Sequence, residues 1–314
     1  MTSVGKLAAK IKLRGRLATA EPMSAHTSFR LGGPADLYLV PADPEDLAAV
    51  LAILRREGVP AFLLGGGTNL LVADGGIRGA VVDLTGIRGL AAARDTVSVG
   101  CGTPMDEAAG FARDRGLSGL EFAASLPGTV GGAVWMNARC YEREVADALE
   151  SVESLDAAGR LFHRRLEPGA WGYKRSPFQS LDEVIVRATF RLAPGDPRTI
   201  GDEMRRHRDD RVAKGHFLHP CAGSVFKNDR SFGRPTGRLI DELGLKGLTV
   251  GGAQVAPYHG NIIVNLGGAT SADVRALIER VEREVAARLG LRLEREVILV
   301  GDWGDATAGH PPTA

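Results

Sequence analysis

The stretch Leu63-Leu64-Gly65-Gly66-Gly67-Thr68-Asn69-Leu70-Leu71 sets three consecutive glycines between two apolar runs. Glycine has no Cβ, so it adopts positive φ freely and lets backbone come close to a ligand. After a buried strand, three in a row expose a row of N–H groups, the usual cradle for phosphate oxygens. A tight turn without a ligand would use the same residues, so the glycines alone leave both readings open. Two other phosphate motifs are absent. No GxxxxGK[ST] occurs, and Gly65–Gly67 does not fit GxGxxG with a helix behind it.

A second cluster shifts the balance. Ser125-Leu126-Pro127-Gly128-Thr129-Val130-Gly131-Gly132-Ala133 leads into Val134-Trp135-Met136-Asn137-Ala138. Small residues dominate it, so its backbone can pack against something flat or extended. Two such loops point to a ligand with a pyrophosphate and a ring system, as in a dinucleotide-type cofactor. Glycine is also the outlier in composition: 41 of 314 residues, against a usual ~7%. The excess falls in doublets and triplets, as expected of shaped loops on a scaffold.

With 314 residues, two or three domains are expected. A net charge of +1 gives no electrostatic case for nucleic acid. No run of ~20 apolar residues could span a bilayer, and the basic stretch 1–17 lacks the apolar core of a secretion signal. Cys101, Cys140 and Cys221 are odd in number and widely spaced. The expectation is a cytoplasmic protein that does not bind nucleic acid or membrane. His216-x-x-His219-x-Cys221 has no fourth ligand at zinc-like spacing, so no metal site is expected.

Apolar periodicity outlines the elements. Leu47, Val50, Leu51 and Leu54 form one stripe of a helix over 44–57, with Gly58 placed to end it. Strands follow at 61–64 and 80–84, and a strand-rich region opens at 97–99. A helix is expected over 104–115 with proline in its first turn, and a strand over 183–192. Pro194-Gly195-Asp196-Pro197 breaks the chain and marks a boundary. Helices are expected at 200–214 and 236–243. Val274, Leu277, Ile278, Val281, Val285 and Leu289 stripe the clearest helix, 271–289, with Ser271 as N-cap and Gly290 as its stop. A strand over 291–300 is expected after it. The class is α+β. Residues 1–20 are expected to form a weak helix or a mobile arm, a further unit begins at 198 after the Pro194–Pro197 break, and 302–314 is an expected disordered tail.

The glycine loops belong to an ordered set. LLGGGTNLL and SLPGTVGGAVWMNA are joined by TSFRLGGPA from Thr27, AGSVFKN from Ala222 and GRLID from Gly237. GAQV from Gly252, NIIVN from Asn261 and LEREV from Leu293 complete it. In this order, over roughly residues 25–301, the set resembles the UDP-N-acetylenolpyruvoylglucosamine reductase family. That resemblance implies a two-subdomain FAD-binding module of the vanillyl-alcohol-oxidase/PCMH type, 21–88 and 89–195, with a C-terminal α+β substrate domain, 198–301. It implies noncovalent FAD held by Leu64, Gly65, Gly66, Gly67, Thr68 and Asn69 in one loop. Ser125, Pro127, Gly128, Thr129, Gly131, Gly132 and Ala133 would hold it in the other. NADPH would reduce the flavin, which would reduce UDP-N-acetylglucosamine enolpyruvate to UDP-N-acetylmuramate for peptidoglycan, in a monomeric enzyme.

Spacing alone would make Ser224 an ordinary loop serine, and no G-x-S-x-G elbow surrounds it. The resemblance implies that it is the general acid protonating the enol carbon. Glu294 and Glu296 would share one face of a strand, so period two cannot choose between them. The LxxEV pattern selects Glu296, near the enolpyruvyl carboxylate. Lys227, Asn228, Arg238, Gln254 and Asn261, with the Tyr258–Gly260 segment, would position the substrate.

Two departures stand out. Many members read Tyr-Arg-x-Ser where this chain reads Tyr173-Lys174-Arg175-Ser176-Pro177-Phe178-Gln179. A guanidinium grips a carboxylate bidentately and an ammonium is a point charge, so the exchange is not neutral. On a strand, neighbours face opposite ways, so Lys174 or Arg175 would polarise the substrate, and position favours Lys174. Arg139-Cys140-Tyr141 replaces the family's frequent Gly and Ala. Its cation faces either an anionic ligand group or solvent. Two other classes share parts of the pattern: another flavin oxidase of this fold, and a non-redox UDP-sugar-binding protein. No His or Cys stands between Phe62 and Asp83 for a covalent flavin.

Overall fold

The computed structural model describes residues 3–167 and 169–304. The first unit contains α1 (Ser3–Lys10), β1 (Arg16–Pro22), β2 (Pro34–Val40), α2 (Pro44–Arg56), β3 (Ala61–Leu64), β4 (Leu70–Val72) and β5 (Ile77–Asp83). Its sheet runs β1-β2-β5-β3, with β2, β5 and β3 parallel and β1 antiparallel at the edge. Parallel strands covered on both faces are apolar throughout, and here alternate residues serve two cores. Leu37, Leu39, Ala80 and Val82 meet the α2 side, while Tyr38 and Val81 face the other. Asp43 caps α2 by accepting the N–H of Asp46, and Gly58 follows the helix at φ 67°.

The second unit begins with β6 (Leu90–Ala93), β7 (Thr96–Gly100), α3 (Met105–Arg113), β8 (Leu117–Ser118) and α4 (Val130–Trp135). The hairpin β9 (Arg139–Cys140) and β10 (Arg143–Glu144) comes next. It is followed by β11 (Leu149–Asp156), β12 (Leu161–Arg165), β13 (Glu183–Arg191), β14 (Ala193–Pro194) and α5 (Pro197–Ala213). Its sheet, β12-β11-β13-β7-β6, is antiparallel throughout. Met105, Ala108, Ala109 and Ala112 of α3 and Val130 and Val134 of α4 pack into the same large core.

The third unit holds α6 (Thr236–Glu242), β15 (Thr249–Val250), β16 (Ala253–Val255), β17 (Ile263–Asn265), α7 (Ser271–Leu289) and β18 (Ile298–Val300). The three central strands form an antiparallel sheet under α7, whose Val274, Leu277, Ile278, Val281 and Val285 are buried against it. β18 leaves this unit and pairs in parallel with β4. Asp74, just past β4, accepts the N–H groups of Ser271 and Ala272 at 2.9 Å each. The third unit is therefore stitched to the loop that follows the triple glycine.

Several expectations are corrected. Of the two expectations for 1–20, the helix holds as α1 and the mobile arm does not: Leu7 and Ile11 lie in the core, and β1, which the sequence did not show, finds a hydrogen-bonding edge on β2. Pro104 is the residue before α3 and its N–H-lacking position costs the helix nothing. Thr270, not Ser271, caps α7 in a capping box with Asp273, and the Ser271 hydroxyl instead donates to the Val72 carbonyl at 2.5 Å. The strand over 291–300 is confined to 298–300. Asp302 and Trp303 are ordered: the Asp302 N–H donates to Gly76 at 2.8 Å and the Trp303 ring lies against the α7 core. The rest of the expected tail, 305–314, lies outside the described residues. Ile200 and Met204 of α5 pack into the core of the second unit.

Candidate active site

The two glycine loops meet face to face. A Cβ on Gly66 would lie 2.6 Å from the Cα of Gly128, and one on Gly65 would lie 2.7 Å from the Thr129 Oγ1. Thr68 reaches across, its hydroxyl 3.4 Å from the Pro127 carbonyl. Gly67 sits at φ 62°, where a Cβ would meet the His26 carbonyl at 1.9 Å. Only glycine allows this approach.

The polar groups around the junction are unspent. Among the described residues, the N–H groups of Gly66, Gly67 and Thr68 donate to no protein acceptor. The hydroxyls of Ser125 and Thr129 are buried with no partner. Buried polar groups are almost always hydrogen-bonded, so this cluster fits a ligand rich in acceptors, such as a pyrophosphate. Other members of the expected set are consumed by the fold. The Gly131 N–H donates to the Cys101 carbonyl at 2.8 Å, the Ala133 N–H donates to Thr129, and Leu64 is buried at the end of β3.

Asn69 does something the sequence did not reveal. Its side-chain amide donates to the Glu296 carbonyl at 2.9 Å, and its own carbonyl accepts the Ile298 N–H at 3.0 Å. The glycine loop thereby fixes the segment carrying Glu296. That segment runs beside 224–227: Phe226 bridges to Arg295, and the Lys227 N–H donates to the Glu294 carbonyl. The N–H groups of both Glu296 and Val297 donate to the single carbonyl of Val225, at 2.7 and 3.2 Å. This bulge breaks the period-two alternation assumed for a regular strand.

The two carboxylates consequently meet different cations. Glu294 takes the Lys227 ammonium at 2.6 Å while staying largely exposed. Glu296 takes the Lys174 ammonium at 2.5 Å, with the two side chains 10% and 14% exposed. Lys174 is not on a strand. It occupies a turn between Gly172 and Arg175 at φ 56°, a conformation uncommon for a side chain of this size. Gln179 holds the turn by donating to the carbonyls of Lys174 and Trp135, and Ser176 donates to Trp135 as well. Arg175 is exposed.

Ser224 is half-buried on the neighbouring segment, and its hydroxyl has no hydrogen-bond partner among the described residues. The segment is positioned by Asn261, which is 2% exposed and grips the backbone of Phe226 on both sides: Oδ1 accepts its N–H at 2.9 Å and Nδ2 donates to its carbonyl at 2.8 Å. Asn261 is thus spent on the fold. The Asn228 side chain accepts the Thr236 N–H at the start of α6, and its own N–H donates to the Tyr173 hydroxyl at 3.2 Å. Arg238 lies exposed on α6, paired with Glu242 one turn along. The Gln254 amide is turned into its own hairpin, toward Gly247 and Thr249. No group of three or more His, Cys, Asp or Glu among the described residues is placed to hold a metal ion.

Residues 215–300 match the family model for the C-terminal domain of UDP-N-acetylenolpyruvoylglucosamine reductase, and residues 35–164 match an FAD binding domain. The UDP-N-acetylenolpyruvoylglucosamine reductase of Treponema denticola is 40% identical over 92% of this chain and 95% of its own. That of Geobacter metallireducens is 43% identical over 93% and 97%. The chain belongs to the UDP-N-acetylenolpyruvoylglucosamine reductase family. Among solved structures, the Thermus caldophilus reductase superposes with a TM-score of 0.76 at 34% identity, covering 92% of this chain and 99% of that one. The α+β class and the FAD-binding module follow from these matches. No helix among the described residues is long and apolar enough to cross a membrane.

Proposed function

We propose that this chain reduces UDP-N-acetylenolpyruvoylglucosamine to UDP-N-acetylmuramate, an FAD-dependent, NADPH-consuming step in peptidoglycan synthesis, using the cluster around Lys174, Ser224 and Glu296. The observation that carries the site assignment is the Lys174–Glu296 pair, held next to the Ser224 segment and tied by Asn69 to the glycine loop.

The glycine-loop N–H groups with Thr129 and Ser125 would hold the pyrophosphate of FAD. When bound, FAD would supply the hydride transfer between NADPH and the enolpyruvyl double bond. Hydride addition builds negative charge on the adjacent carbon and its carboxylate. Lys174, whose side chain is largely buried, places a positive charge against that developing charge. Glu296 keeps the ammonium in place. The Ser224 hydroxyl, unengaged within the protein, donates its proton to the carbon and completes the saturated lactyl ether. Lys227 is the further cation we assign to the substrate, and Asn261 positions the Ser224 segment without touching the ligand.

NADPH and UDP-sugars are cytoplasmic metabolites, so we place the reaction there. Every residue of the cluster comes from one chain, so a monomer suffices. We place the boundary of the substrate domain after α5, because Ile200 and Met204 pack with the FAD-binding half. The test is direct. The purified protein should show flavin absorbance, and NADPH oxidation should depend on the enolpyruvyl substrate and yield the lactyl ether. A colourless protein, or NADPH oxidation indifferent to that substrate, would overturn the reading.

A further inference from the structure

We infer that Arg139 is a phosphate-binding residue at the mouth of the Lys174 site, taking a phosphate group of the nucleotide ligand that enters the cleft. The inference rests on the function proposed above.

Around the Lys174 turn, Lys174 and Lys227 are engaged by carboxylates and Arg175 is exposed. Lys174 is paired with Glu296 and Lys227 with Glu294. Arg139 is half-buried and, among the described residues, has no carboxylate or other hydrogen-bond acceptor. Its guanidinium lies 6.0 Å from the centre of the Tyr173 ring, the residue next to Lys174. Tyr173 in turn accepts the Asn228 N–H through its hydroxyl. A partly desolvated cation without an anion is costly; Arg164, Arg191 and Arg295 of this chain each take a carboxylate partner.

The position is built rather than frayed. Asn137 is fully buried, donates to the Gly172 carbonyl at the start of the Lys174 turn, and accepts the Ala146 N–H at the far end of the β9–β10 hairpin. Tyr141 and Glu142 turn that hairpin at φ 49° and 62°. The Tyr141 ring stacks on His207 at 3.9 Å, and its hydroxyl bonds to the His207 carbonyl and to Asp210. The hairpin therefore presents Arg139 beside the Lys174 turn from a fixed frame. A guanidinium fork suits a phosphate bidentately. Both ligands of the proposed reaction carry phosphate: NADPH has a pyrophosphate and a 2′-phosphate, and the UDP-sugar has a diphosphate.

The experiment compares wild type, Arg139→Gln and Arg139→Lys as flavin-loaded proteins. UDP binding is followed by calorimetry, and flavin reduction is followed by stopped flow with NADPH and with NADH. A charged hydrogen bond contributes about 1.5–3 kcal/mol, so Arg139→Gln should weaken binding about 10- to 100-fold while the limiting reduction rate stays within about twofold. Arg139→Lys should recover part of the loss. Weakening for NADPH but not NADH identifies the 2′-phosphate as the anion. Weakening for UDP alone identifies the diphosphate of the sugar nucleotide, and weakening for all three identifies the shared pyrophosphate. Unchanged affinity for every ligand, with flavin content and Tm as in wild type, would overturn the inference. If Arg139→Gln loses its flavin, Arg139→Lys carries the same comparison. A wild type that binds neither UDP nor NADPH would overturn the functional reading itself.

Discussion

Lys174 and Glu296 stand 122 residues apart in the chain and 2.5 Å apart in space, in a pair that is almost closed to solvent. We assign to Lys174 the role that the sequence left open between it and Arg175, because its ammonium is held against Glu296 while Arg175 is exposed. Lys174→Ala should slow reoxidation of the reduced flavin by the enolpyruvyl substrate about 10²–10³-fold, the usual cost of removing a donor aimed at developing charge. Lys174→Arg should keep part of the rate, and Arg175→Ala should stay near wild type. Stopped-flow absorbance at the flavin band reads all three. Removing one partner of a buried pair strands the other, so Glu296→Gln added to Lys174→Ala should restore Tm without restoring the rate. A slow Arg175→Ala beside a fast Lys174→Ala would move the role one residue along.

The fold was legible where periodicity carries it. The α7 stripe from Val274 to Val285 and the α2 stripe from Leu47 to Leu54 are buried as their spacing demands. The glycine loops were legible as shaped turns for an extended ligand, but their face-to-face contact was not. The site was legible less fully. A lysine at φ 56° leaves no mark in sequence, so Lys174 was read onto a strand, and the opposite-faces argument had no strand to act on. The bulge at Val225 is equally silent, yet it is what separates Glu294 from Glu296. Asn69 and Asn261 look like ligand contacts in a polar motif. Their side-chain amides also donate to backbone far away in the chain, 227 residues for Asn69 and 35 for Asn261, and no motif signals those bonds.

Ser224→Ala should separate the two half-reactions. NADPH should bleach the flavin at nearly the wild-type rate, since the serine hydroxyl takes no part in that step. Reoxidation by the enolpyruvyl substrate should fall ~10²–10⁴-fold, the range for a lost general acid. Equal slowing of both halves would point to a distorted cofactor site and remove the assignment.

Thr129→Val tests the cofactor cradle more cleanly than a bulky glycine substitution. Gly66→Val would drive a side chain into Gly128 and part the loops, so its loss of flavin would not by itself locate the pyrophosphate. Valine keeps the shape of threonine and removes only a buried hydroxyl that has no protein partner. The flavin-free protein should keep its Tm or gain stability, because an unsatisfied buried group costs about 1–3 kcal/mol. Affinity for FAD, measured by fluorescence titration, should fall about tenfold, the equivalent of one hydrogen bond of ~1.4 kcal/mol. Unaltered FAD affinity would show that Thr129 does not face the cofactor.

Asn261→Leu should act on stability rather than on substrate affinity. It leaves the Phe226 N–H and carbonyl buried without partners, at about 1–3 kcal/mol each. The midpoint of denaturant unfolding should drop accordingly. At a temperature where the variant remains folded, KM for the UDP-sugar should change little while the rate of reoxidation falls, because the Ser224 segment loses its anchor. A raised KM with unaltered stability would return Asn261 to the substrate.

The last prediction concerns acid. His216 lies beside His259, with ring centres 5.9 Å apart, and burial with the neighbouring Arg211 charge lowers its pKa from 6.5 to about 4. A folded-state pKa below the unfolded one means that the unfolded chain binds more protons between these values. Above pH 6.5 both forms are neutral and the histidine contributes nothing to pH dependence. As pH falls from 6.5 towards 4, the unfolded state is favoured increasingly, and below 4 the effect levels off. His216→Gln should therefore flatten the loss of Tm between pH 7 and pH 4.5, with little change at pH 7.5. The effect should be partial, because burial also lowers the pKa of His259. Tm profiles of the two proteins that run parallel through this window would show that His216 titrates alike in the folded and unfolded chains.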